Sequence, residues 1–188
     1  MSDMIGQFPR WNLDPVAPPP GSTEFTDAVA AVAQGIAGLT ALFDEREGRR
    51  HDRTALGDSG VANVDAIILR YNDLLEAAES LEHGLVCRVF TDASDTQAQG
   101  ALSELEPHLG RLAHLGARFV AWAGSHDVEA LIERSVIARD HAAALRRAHR
   151  AAAHLMTPAE EELAAELGAA GSRAWFRLRQ EVEANLTA

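Results

Sequence analysis

The chain is poor in cysteine, aromatics, positive charge and long apolar runs, and each shortage excludes something. A single cysteine, Cys87, leaves no internal disulfide. Aromatic residues make up only 5% of the 188 residues, and alanine is abundant, which favours closely packed helices over a sheet. Lys and Arg number 17 against 28 Asp and Glu, for a net charge of −11 and a pI near 5.1. Nucleic acids and anionic membrane surfaces both require a cationic face, so neither is an expected partner. No stretch approaches the roughly 18 apolar residues of a membrane span. The opening MSDMIGQFPRW lacks a basic flank followed by an apolar run, so it does not read as a secretory signal. These exclusions point to a cytoplasmic protein.

What is present is helical periodicity along almost the whole length. The composition, 47% hydrophobic and 24% charged, is that of a globular chain large enough to bury a core. Residues 1–21 form a proline-rich extended arm, because Pro9, Pro15, Pro18, Pro19 and Pro20 forbid helix there. Residues 22–188 then read as one helical domain. Ser22 or Thr23 caps a first helix over about 24–46, with Phe25, Val29, Val32, Ile36, Leu39 and Phe43 on one face. A polar link over 45–60 carries a short basic cluster, Arg49, Arg50, His51 and Arg53, which reads as a solvated loop.

A long helix over about 61–90 places Val64, Ile67, Ile68, Tyr71, Leu74, Leu75, Ala78, Leu81 and Leu85 in one stripe. A break at 92–95, where Ser94 or Asp95 can cap, leads to a third helix over about 96–122 with Pro107 inside it, a site for a kink. Two long helices joined by so short a link must lie antiparallel. A short helix over about 127–133 follows, with Ser125 as its cap, and then one helix over about 137–154 with the seam Ala142, Leu145, Ala148 and Ala152. No alternating strand pattern interrupts the series. The expected fold is all-α, an antiparallel pair of long helices with shorter helices packed along it.

The last stretch has two helix starts written into it. Thr157 suits an N-cap, Pro158 the first helical position, and Glu160 the reciprocal position of a capping box. That helix is expected to stop at Gly168. Gly171 clears the chain for a second start capped by Ser172, and Trp175, Leu178, Val182 and Leu186 then recur on one face.

No catalytic constellation emerges. Eight histidines raise the question of zinc, but a helical peptidase site needs His-Glu-x-x-His to bring two imidazoles and a glutamate onto one face, and that motif is missing. Glu79, His83 and Cys87 line up at intervals of four, yet eight residues of helix rise about 12 Å. Bonds of about 2.0–2.3 Å cannot converge on one ion across that rise. Cys87 therefore reads as a small buried hydrophobe. Ser125, His126 and Asp127 are the residue types of a hydrolase triad, but consecutive residues do not face one another. No catalytic and no metal-binding residue is assigned.

Three motifs, in order, resemble the N-terminal helical region of oligoendopeptidase F-like proteins, in the thimet oligopeptidase superfamily of zinc metallopeptidases (peptidase family M3). Pro9, Arg10, Trp11 and Leu13 match an opening "P-R-W-D-L", with Asn12 in place of the aspartate. Asp92, Asp95 and Gln99 match "D-T-x-D-P-x-x-Q", with Ala93 and Thr96 departing from it. Thr157, Glu160, Glu161, Leu163, Gly171, Ser172, Ala174, Trp175, Leu178 and Glu181 match the segment that closes the region.

The resemblance implies a parent enzyme that hydrolyses short peptides, in which these helices form one wall of a deep channel. The zinc ligands and the glutamate base lie further along such chains, so this stretch itself carries no cofactor and Zn2+ is implied for the missing catalytic domain. The alternative is a stand-alone helical interaction module that dimerises through exposed apolar helix faces or binds a partner. The last helix bears on the choice. An apolar surface exposed around Trp175 and Phe176 fits a severed or partner-seeking face, and a polar one fits an independent domain.

Overall fold

A computed structural model describes residues 12–47, 58–92 and 94–186. These fold into eight α-helices with no strand among the described residues. The first three are long: α1 (Thr23–Glu47), α2 (Asp58–Thr91) and α3 (Thr96–Gly124). Five shorter helices complete the chain: α4 (Val128–Arg134), α5 (Val136–Asp140), α6 (Ala142–Ala152), α7 (Pro158–Ala170) and α8 (Ser172–Leu186). The all-α expectation holds, with three long helices at its centre.

The three long helices pack together because each presents one apolar stripe. Phe25, Val29, Val32, Ile36, Leu39 and Phe43 of α1 meet Ile67, Leu74, Ala78, Leu81 and Leu85 of α2 and Ala101, Leu105, Leu112 and Leu115 of α3. Their directions follow from the contacts. Tyr71 and Phe119 stack at 4.9 Å, about equally far along the chain on either side of the 92–95 turn, so α2 and α3 are antiparallel. Asp44, near the end of α1, pairs with Arg118, near the end of α3, at 2.7 Å, so α1 runs parallel to α3. Helix α3 continues through Pro107.

By length and composition alone α1 could cross a membrane, since a window within Thr23–Glu45 reaches a mean hydropathy of 1.4. This corrects the expectation that no stretch comes near that threshold. The alanines between its large residues raise the hydropathy, while Gln34, Gly35, Gly38 and Thr40 interrupt the apolar run. The large residues themselves lie in the three-helix core.

A second, smaller core joins α2 to the short helices. Val64 and Ile68 pack with Val128, Leu131, Ile132, Ala138 and Leu145, and Phe119 and Trp122 border both cores. The expected helix over 137–154 is in fact two, broken at His141 (φ −103°, ψ 15°). No glycine or proline marks the break. Helix α5 is held to α2 by the Ser135 hydroxyl, which donates to Asp65, whereas α6 lies along α3, so the axis must turn between them. His141 closes the corner: its Nδ1 lies 2.9 Å from the Ile137 carbonyl and its Nε2 2.9 Å from the Asn72 amide nitrogen.

The cap of α4 also differs from expectation. Asp127, not Ser125, caps α4 by accepting the Ala130 N–H at 3.1 Å. Ser125 instead ends α3, its hydroxyl donating to the Trp122 carbonyl at 2.7 Å.

The described part of the arm, residues 12–21, forms no helix element. A turn at 13–17 is closed by the Val16 and Ala17 N–H groups donating to the Leu13 carbonyl, and Asp14 pairs with Arg88 of α2 at 2.6 Å. Ala17 sits against bare backbone at Gly84, where a Cβ would fall 2.3 Å from its own. Gly21, at φ +79°, turns the chain into α1, and Ser22 caps that helix by accepting the Phe25 N–H at 3.0 Å.

Candidate functional site

The motif residues fall into three groups. Pro9, Arg10 and Trp11 lie outside the described residues, as does the basic cluster at 49–53. Leu13 is half-buried at the arm's turn. In the α2–α3 turn, Asp92 accepts the Ser94 N–H and hydroxyl at 3.0 and 2.6 Å. Asp95 caps α3 by accepting the Gln97 and Ala98 N–H groups, and the Gln99 N–H donates to the Asp95 carbonyl at 3.1 Å. The structure brings the arm and this turn to the same end of the bundle, through the Asp14–Arg88 pair and the contact of Gln97 with Gly21.

The third group shapes the α7–α8 hairpin. Glu160 accepts from the Thr157 N–H at 2.8 Å and from its hydroxyl at 2.7 Å. The hydroxyl bond, then the backbone bond, holds the exposed Glu160 carboxyl below its ordinary 4.5. Helix α7 continues through the expected stop at Gly168 and ends at Ala170, so the connection is the single residue Gly171. The Gly171 N–H donates to the Leu167 carbonyl at 2.8 Å, and a Cβ at 171 would fall 2.8 Å from that same oxygen, so glycine is what lets the chain turn there. Ser172 is already helical. The carbonyl of Gly171 accepts the Trp175 N–H at 3.1 Å, so Gly171 occupies the cap position expected for Ser172.

What this hairpin presents is apolar. On α7, Leu163 and Leu167 are four apart and exposed, and on α8, Trp175, Leu178 and Val182 recur at three and four and are also exposed. Trp175 is 72% exposed and Leu167 60%. Phe176 and Met156 are exposed beside them. Helix α7 packs on α3 and α8, and α8 packs chiefly on α7. An amphipathic helix earns its place by burying its apolar stripe. Here the stripe of each helix in the hairpin stays in solvent, in contrast to the buried stripes of α1, α2 and α3.

The other candidate chemistries stay local: the Ser125 Oγ lies 3.0 Å from the His126 Nδ1, which corrects the expectation that these consecutive side chains do not face one another. Glu79, His83 and Cys87 are all exposed along α2, which corrects the reading of Cys87 as a buried hydrophobe. The apolar stripe of α2 passes through Leu81 and Leu85, and Cys87 falls outside it. Glu79 and His83 line a shallow open groove with Val16, Asn72, Leu75, Glu76 and Ser80. Burial, and then the charge of Glu79, raises the Tyr71 phenol above its ordinary 10.0. Among the described residues no group of three or more His, Cys, Asp or Glu side chains is placed to hold a metal ion.

Ser125, His126 and Asp127 serve two different helix ends. His126 Nδ1 lies 2.8 Å from the Trp122 carbonyl, and its ring lies 4.7 Å from the Trp122 ring. His149 reaches the neighbouring Ala123 carbonyl at 3.2 Å. The interhelical pairs Ser135–Asp65 and His141–Asn72 had no signal in the sequence, since their members lie 70 and 69 residues apart.

Residues 124–187 match the family model described as oligopeptidase F, the N-terminal region of the M3 peptidases. The matched stretch contains α4 to α8, and nearly all of the three long helices lies outside it. No curated protein and no solved structure matches the chain.

Proposed function

We propose that this chain, with its oligopeptidase F signature over 124–187, forms the N-terminal channel-wall region of a zinc oligopeptidase that hydrolyses short peptides. The supporting observation is the α7–α8 hairpin, which lies in the matched stretch yet leaves Leu163, Leu167, Trp175, Leu178 and Val182 exposed. In this reading those stripes pack against the region of the same cytoplasmic enzyme that carries the zinc site. The long helices α1 to α3 supply a stiff wall, and a rigid helical wall beside a narrow channel admits short peptides and excludes folded proteins. The described residues offer no ligand set for zinc, so no step of peptide hydrolysis is assigned to them.

The same open stripes also suit a second reading, a free-standing helical module that self-associates or binds a partner through them. Intact-mass and metal analysis of the polypeptide isolated from its source cells separates the two. A mass several times 20.2 kDa, with stoichiometric zinc and cleavage of short peptides, is the result expected for the channel wall. A zinc-free protein near 20.2 kDa that self-associates would replace that reading with the second. Stoichiometric zinc and peptidase activity in a clean preparation of residues 1–188 alone would overturn both.

A further inference from the structure

We draw no further inference here: the strongest candidate, the exposed apolar face of the α7–α8 hairpin, belongs to the site already described, and nothing in the structure shows what covers it.

Discussion

The ends of α3 and α6 meet through Gly124 and Ala152, so closely that a Cβ on Gly124 would fall 2.2 Å from the Cβ of Ala152. Gly124→Ala should therefore destabilise the fold. Helix propensity favours alanine by roughly 1 kcal/mol, but forcing α3 and α6 apart costs about 1–3 kcal/mol. The urea midpoint should drop for Gly124→Ala and recover in the double variant Gly124→Ala, Ala152→Gly. Additive effects of the two changes would mean that these residues do not touch.

Leu131 and Trp175 should behave in opposite ways. Leu131 is fully buried in the second core, so Leu131→Ala should cost about 2–5 kcal/mol in denaturant unfolding. Trp175 is 72% exposed, so Trp175→Ser should change stability by no more than about 0.5 kcal/mol. It should also reduce the fluorescence of a dye that binds exposed apolar surface. A large stability loss for Trp175→Ser would show that the α8 stripe is covered in the folded chain.

The start of α7 should loosen in acid. Hydrogen bonds from Thr157 hold the folded Glu160 carboxyl below 4.5, its ordinary value. A depressed carboxylate contributes stability above the unfolded value and loses that contribution as the pH falls through the folded one. Fraying of the first turn should therefore begin as the pH falls below 4.5, the ordinary glutamate value. The Thr157 and Glu160 amide resonances would report it. In Glu160→Gln the titration of these resonances should disappear. The exposed Glu129 is held low in the same sense, first by its hydrogen bond from Arg146, so the α4–α6 contact should weaken over the same acid range.

Cys87 should react freely. Its position on the solvent side of α2 predicts that a thiol reagent labels the native protein within a few-fold of the rate in urea. Protection by orders of magnitude in native buffer would place the thiol inside the core.

Much of the fold was legible in the sequence because it rests on local patterns. The stripes of α1, α2 and α3 recur at three and four residues, and the side chains that define the period are buried in the core or packed half-buried against it. Thr157 and Glu160 were readable as a capping pair because capping is a contact over two or three residues, whereas the sequence left Ser94 and Asp95 both open for α3 and the structure chooses Asp95. The break at His141 was not readable. It arises because Ser135 ties α5 to Asp65 on α2 while α6 follows α3, and no residue near 141 records that conflict. The cap at Asp127 was missed because Ser125 and Asp127 are both good caps, and only the position of the α3 end decides between them.

Periodicity and capping are properties of neighbours along the chain, so the sequence by itself determined most of the helices, many of their ends and the apolar faces of the longer ones. Which of those faces becomes core was decided by tertiary packing alone. The stripe through Leu74, Ala78, Leu81 and Leu85 and the stripe through Trp175, Leu178 and Val182 follow the same spacing rule, yet the first is buried and the second lies in solvent. The difference is the partner: α2 has both α1 and α3 beside it, whereas α8 has chiefly α7. Burial depends on what arrives from elsewhere in the fold, and periodicity within one helix does not encode it.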